Sequence, residues 1–290
     1  MAADALISVI VTCYNQGRFL HDSLNSLLNQ SHVNWECLII NDGSTDETEL
    51  VALQYQQKDA RFRYFHQANA GVAAARDAGA TKCAGDFVQF LDADDHIHPD
   101  KFTTQLALLN SNQKIDIVYG SSRYFFDGEP ETIYPLHFRG SVPCDLTYRD
   151  NFQVEMLLKH NVCTNCSALF RSEVLRKVKF RKVIFEDWVF NLECALNGFV
   201  FHFDPSFSSY SYIRITASSQ MMKHTNQTNE IRKINSYLQG MAKEYKYPFS
   251  EKIIVTEDSG TPGNLVEIVR AITPPFIFSI GASVKRTFFS

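Results

Sequence analysis

The chain has 290 residues, 45% of them hydrophobic and 21% charged, a globular balance with room for one large domain or two small ones. Its net charge of −4 excludes broad nucleic-acid binding, which needs a basic face, but leaves room for one small nucleotide. Seven cysteines without small-domain spacing indicate a reduced, cytosolic chain rather than a disulfide framework. MAADALISVIV carries Asp4 in place of a basic n-region, so no signal peptide is expected. No apolar run approaches the roughly 20 residues that span a bilayer.

The first half alternates strand and helix patterns. LISVIVTC (6–13) is apolar and β-branched, fit for a strand buried on both faces. RFLHDSLNSLLNQ follows with a helical stripe of Phe19, Leu20, Leu24, Leu27 and Leu28. CLIIND (37–42) predicts a second strand ended by Gly43-Ser44, and Ser44 or Thr45 can cap the next helix. Arg61 to His66 reads as a third strand, Ala70 to Ala84 as an Ala-rich helix and Asp86 to Leu91 as a fourth strand. Pro99 suits the first turn of a helix reaching about Asn110. This alternation predicts a mostly parallel sheet flanked by helices.

The second half is less regular. Ile115 to Phe126 and Glu131 to Pro135 predict strands joined by a turn at Asp127-Gly128. Thr147 to His160 reads as helix, Cys163 to Phe170 as strand, and Glu186 to Asn197 as a helix ended by Gly198. Val200 to Phe203 and Ser208 to Ile213 suit strands, and Met221 to Tyr245 a polar helix. There is no internal repeat. A loose boundary falls near residue 110, without the composition of a flexible linker.

Polar residues cluster where these strands end. Tyr14 and Asn15 follow the first, Asn41 and Asp42 the second, and Asp92, Asp94 and Asp95 the fourth. Glu186 and Asp187 follow the apolar VIF. In parallel α/β sheets ligands bind beyond the carboxyl ends of the strands. Taken alone, Asp42 is equally a helix cap; several acidic ends on one rim are better explained as a site. Crowded carboxylates need neutralising charge. Oxygen ligands favour Mn²⁺ or Mg²⁺, which often bind through one or two carboxylates plus substrate phosphates. There is no GxxxxGK[ST] loop and no GxGxxG after the first strand, so a metal, not a glycine loop, is expected to neutralise a diphosphate.

The order SVIVTCYNQGRFLHDSLNSLLNQ, CLIINDGSTDET, NAGVAAARDAG, FVQFLDADD and FEDWVF resembles the family 2 glycosyltransferases of the GT-A fold, over about residues 6 to 215. The resemblance implies an inverting transfer of sugar from a nucleotide diphosphate sugar, most often UDP-linked, to a hydroxyl of a saccharide or lipid-linked saccharide, in cell-surface polysaccharide or glycolipid synthesis. Thr12, Tyr14, Asn15, Asp42, Arg76, Asp92 and Ala93 would bind the donor. Within that set Tyr14 would pack on the base, Asp42 accept its hydrogen bond, Arg76 steady the acidic site and Asp92 touch the ribose. Asp94 would hold the metal. Asp187 would be the catalytic base and Glu186 would position acceptor or sugar. The motif's common Asn is Asp77 here, which affects local hydrogen bonding. SYSYIRITASSQ resembles a loop near the diphosphate, where Arg214 would neutralise phosphate.

Trp188 is either a wall of the sugar pocket or helix core. Cys163 and Cys166 form a CxxC that lacks a second ligand pair and reads as structural. His96 and His98 read as solvent-facing, with metal ligation the alternative; His202 or His224 could supply a further metal ligand, and sequence does not choose between them. The N-x-[ST] sequons at Asn29, Asn165 and Asn226 are chance in a cytosolic chain. In the tail, Phe276, Ile280, Val284 and Phe288 recur every four residues beside Lys285 and Arg286. That stripe suits either a membrane-surface helix over 272–290, at the inner face of the membrane, or packing onto the domain. The expected organisation is a catalytic domain over 1–215, with a nucleotide-binding half (1–110) and an acceptor-binding half (111–215), then a helical extension over 216–290. The alternatives are a nucleotidyltransferase, for which CYNQGRF is a poor phosphate loop, and a non-catalytic nucleotide-sugar-binding protein, against which the ED pair speaks.

Overall fold

A computed structural model describes residues 5–135, 152–159, 161–216 and 227–247. Strand β1 (Ile7–Cys13) is buried along its whole length because it lies between β2 (Trp35–Asp42) and β4 (Phe87–Asp92), parallel to both. Strand β3 (Phe62–Gln67) pairs parallel with β2. The sheet continues through β9 (Ala168–Arg171), antiparallel to β4, then β6 (Ile117–Tyr119) and β10 (Phe201–Phe203). The seven-stranded order is β10-β6-β9-β4-β1-β2-β3. This sheet is continuous across the boundary expected near residue 110.

Alternate residues of the central strands feed opposite cores. Ile7, Val9 and Val11 pack with Leu20, Leu24 and Leu27 of α1 (Gly17–Leu28), and with α2 (Thr48–Lys58) and α4 (Lys101–Ser111). Ile10, Val88 and Phe90 pack on the other side with α3 (Val72–Ala80), α5 (Phe152–Lys159), α6 (Ser172–Lys177) and α7 (Glu186–Leu196). Helix α8 (Gln227–Glu244) adds Ile234, Leu238 and Met241 to that core. Gly79 lets α3 lie close to the sheet, since a Cβ there would stand 2.5 Å from Ile10 Cγ2.

A second, four-stranded sheet has the order β5-β11-β7-β8, from β5 (His96–Ile97), β11 (Ser211–Ile215), β7 (Ser122–Phe126) and β8 (Glu129–Pro135). The strand expected over Ile115 to Phe126 is therefore two strands in two sheets. The chain breaks at Gly120, where a Cβ would meet Ser209 O at 2.1 Å. The strand expected from Cys163 begins only at Ala168, after a 3-10 turn over Asn165–Ser167. Pro99 lies just before α4 rather than in its first turn. Strand β5 and helix α6 were not foreseen. The tail stripe over 272–290 and His224 lie outside the described residues, as does part of the helix expected from Thr147. Among the described residues no helix is long and apolar enough to cross a membrane.

Candidate functional site

The parallel strands β1, β2 and β4 deliver their polar ends to one rim, where the strand order reverses between β1 and β4. Tyr14 stands 51% exposed beyond β1. Asn15 takes a left-handed φ of 52°, and its Oδ1 accepts the Thr45 N–H at 2.8 Å while its own N–H donates to Ser44 Oγ at 2.9 Å. The loops after β1 and β2 are thereby tied together.

Asp42 is buried at the end of β2. Its Oδ1 accepts from Gln67 Nε2 at 2.7 Å and from the Ala70 N–H at 2.9 Å; its Oδ2 accepts the Gly71 N–H at 2.8 Å. Asp42 holds the turn that leads into α3, but it caps neither α2 nor α3. A carboxylate oxygen takes about two hydrogen bonds, so Oδ2 retains capacity for one more donor.

Arg76, buried on α3, joins the two acidic segments. Its Nη1 donates to Glu186 Oε1 at 2.6 Å and its Nη2 to Asp92 Oδ1 at 2.9 Å. The two carboxylates hold its charge in place and push its pKa further up, overcoming the opposing effect of burial. Thr12 Oγ1 reaches the same Asp92 oxygen at 3.3 Å. The strand end of β4 and the N-terminus of α7 therefore meet through one guanidinium.

Asp187 is oriented on both oxygens. Oδ1 accepts the Trp188 N–H at 2.8 Å and Oδ2 accepts Asn161 Nδ2 at 2.9 Å. Asn191 Nδ2 in turn donates to Asn161 Oδ1 at 3.3 Å. Burial raises the Asp187 carboxyl to about 6, and the neighbouring Glu186 charge adds to the rise. Such a value suits a group that accepts a proton near neutral pH.

The loop after β4 concentrates negative charge. Burial, with the Asp92 charge adding, raises Asp94 to about 7; Asp95 is buried and raised as well. Among the described residues no lysine or arginine pairs with the Asp94 carboxyl. Hard oxygen donors without a direct ion-pair partner fit Mn²⁺ or Mg²⁺. No group of three or more His, Cys, Asp or Glu forms a complete metal site among the described residues. A cation held by Asp94 would need further oxygens from outside that set.

Several residues stand elsewhere than expected. Arg214 lies behind the acidic loop: its N–H donates to Asp95 Oδ1 at 2.9 Å and its Nε to Asp94 O at 3.0 Å. Its remaining nitrogens bond Asp127 and Asp22, so it buttresses the loop instead of presenting charge to a phosphate. Ala93 is fully buried, with its N–H bonded to Thr12 O at 3.3 Å, and has no surface to offer a donor. Trp188 is 1% exposed and its Nε1 donates to Leu157 O, so it is helix core and walls no sugar pocket.

His96 stacks on Tyr212 with ring centroids 4.7 Å apart and is held neutral by burial, which lowers it to about 4. His98 packs edge-on against Phe207. Neither ring faces solvent freely. His202 sits on β10 at the far edge of the sheet from β1 and β2. Cys163 and Cys166 are both buried thiols, neither in a disulfide, and Cys166 Sγ lies 3.2 Å from Thr164 Oγ1. Asp77 accepts the Phe180 N–H at 3.2 Å, a bond that the motif's usual Asn can also make. Asn161 went unnoticed in the sequence because it stands alone, without a motif; Asp127 reads there only as a turn residue and Asp22 only as part of a helix.

Residues 8–179 match the family model described as Glycosyl transferase family 2. Over 190 residues the chain is 32% identical to an uncharacterized glycosyltransferase of Haemophilus influenzae, covering 65% of this chain and 71% of that protein. Over 154 residues it is 34% identical to Glycosyltransferase GlyA of Streptococcus pneumoniae, covering 53% of this chain and 22% of that one. Against that protein and three glycosyltransferases of Rickettsia species, the match spans only 16–22% of the relative's length. Among solved structures, S. aureus TarS 1-349 in complex with UDP-GlcNAc is similar with a TM-score of 0.61 at 17% identity, over 90% of this chain and 79% of that one. Mannosyltransferase PcManGT from Pyrobaculum calidifontis, in complex with GDP-Man and Mn²⁺, gives 0.61 at 14% identity, over 96% and 79%.

Proposed function

The chain belongs to glycosyl transferase family 2 and has the GT-A fold, and from that premise we propose that it transfers a sugar from a nucleotide diphosphate sugar to an acceptor hydroxyl with inversion. The observation that carries this reading is the Arg76 bridge between Asp92 and Glu186, which sets a nucleotide rim beside a proton acceptor. Complexes of TarS with UDP-GlcNAc and with UDP, and of PcManGT with GDP-Man and Mn²⁺, support a nucleotide-sugar donor. UDP is the nucleotide we favour.

Tyr14 packs on the base, and Asp42 Oδ2 accepts its ring N–H. Asp92, held by Thr12 and Arg76, takes the ribose hydroxyls. Asp94 would hold Mn²⁺ or Mg²⁺, which would supply Lewis acidity to the departing diphosphate. Asp187 removes the acceptor hydroxyl's proton as that oxygen attacks the anomeric carbon. The C1–O bond to the diphosphate breaks on the opposite face, so an α-linked donor gives a β-linked product. General-base help of this kind contributes roughly 10²–10⁴-fold. Glu186, fixed by Arg76, positions acceptor or sugar. The acceptor is a saccharide or a lipid-linked saccharide of polysaccharide or glycolipid synthesis.

Calorimetric titration with UDP, with and without Mn²⁺, tests the reading. The wild-type chain should bind UDP only with the metal, and Asp94→Ala should lose that dependence together with the affinity. Equal affinity for UDP in wild type and Asp94→Ala would remove Asp94 as the metal ligand.

A further inference from the structure

The loop between α6 and α7 carries a cation that the reaction above leaves unused. It runs alongside α3: the Phe180 N–H donates to Asp77 Oδ1, and Lys182 Cε lies 4.0 Å from where a Cβ on Gly71 would stand. Apart from Gly71 and its chain neighbours, no other atom of the described residues comes within 4 Å of that position, so among them Lys182 alone reaches over the start of α3. The neighbouring cations are committed elsewhere. Lys179 Nζ donates to Leu175 O at 2.8 Å, and Arg181 grips both oxygens of Glu193 at 2.9 and 2.7 Å. Lys182 is exposed and makes no hydrogen bond or ion pair among the described residues.

Gly71 also donates to Asp42 Oδ2, the oxygen with room for one more donor. Uracil presents a ring N–H with a carbonyl on either side. Asp42 answers the N–H, but a carbonyl beside it needs a donor, which a carboxylate does not supply. A lysine ammonium on a flexible four-carbon stem supplies three. We infer that Lys182 reads the C4 carbonyl of the donor's nucleobase, forming with Asp42 an acceptor–donor pair matched to an imide N–H beside that carbonyl. The inference rests on the nucleotide-sugar reading of this site. Cytosine carries a bare ring nitrogen where uracil has the N–H, and an amino group where uracil has a carbonyl. The pair is mismatched to it at both points.

The test is binding of uridine, UDP and CDP to the full chain with Mn²⁺, comparing wild type, Lys182→Met and Lys182→Arg. Loss of one charge-assisted hydrogen bond should weaken UDP and uridine alike, by about tenfold in Lys182→Met. The preference for UDP over CDP should fall by a similar factor, and Lys182→Arg should restore most of the affinity. Unchanged uridine binding with weakened UDP would assign the ammonium to the phosphates and overturn the inference. Unchanged binding of both would show that Lys182 touches no part of the donor. If wild type binds UDP normally, either result sinks only the role of Lys182. A wild-type chain that binds no nucleotide, with or without Mn²⁺, overturns the donor reading and the inference with it.

Discussion

Arg76 neutralises two carboxylates from opposite halves of the chain while being almost wholly buried itself. Arg76→Met leaves Asp92 and Glu186 facing each other without a cation. The cost should be about 2–3 kcal/mol, less than for a fully buried pair because Asp92 is partly exposed. Urea unfolding at neutral pH measures it. At Asp187 the sign of the pH dependence follows from the proposed role as general base. The carboxyl must be ionised to accept a proton, and burial has raised it to about 6. Turnover should therefore be level above that pH and fall about tenfold per unit below it. Asn161 donates to the ionised form, so Asn161→Leu should move this acid limb to higher pH and lower kcat while leaving donor affinity within a few-fold. A pH profile of kcat for both proteins checks the shift; coincident limbs would mean Asn161 does not tune the base.

At the scale of elements, the small sheet is the part that periodicity could not foresee. Ile115 to Phe126 reads as one apolar, aromatic run, yet Gly120 and Ser121 carry the chain from one sheet to the other. What ends β6 is a close approach of backbone to Ser209, a tertiary contact that leaves no local pattern. Gly120→Ala forces a Cβ against that carbonyl and should destabilise the protein by about 2 kcal/mol or more, seen as a lower urea midpoint with unchanged slope. A neutral result would mean the two sheets can slide apart at no cost. The same sheet explains Arg214. The resemblance of SYSYIRITASSQ to a diphosphate loop implied a phosphate ligand, but on β11, paired with β5 and β7, Arg214 bonds the acidic loop through Asp95 Oδ1 and Asp94 O. By contrast, β1, β2 and α1 were legible, because apolar β-branched runs and a leucine stripe encode burial directly, and α3 through its run of alanines.

Across the whole molecule, the continuous sheet brings the acidic end of β4 and the N-terminus of α7 to one rim. The strand-end aspartates and the ED pair were readable because their chemistry is concentrated in short segments. Trp188 and Ala93 were not, since whether a side chain beside a motif faces a ligand or the core depends on packing. Lys182 escaped notice for the opposite reason: an exposed lysine in a basic stretch has no distinguishing spacing. The most direct test of the account follows the release of UDP from the nucleotide sugar that wild type turns over, at saturating donor and Mn²⁺, in wild type and Asp187→Asn. The amide keeps the shape of the carboxylate but cannot take a proton. The account predicts UDP affinity within a few-fold of wild type and turnover lower by roughly 10²–10⁴. Turnover near the wild-type rate would contradict it and pass the role of base to Glu186.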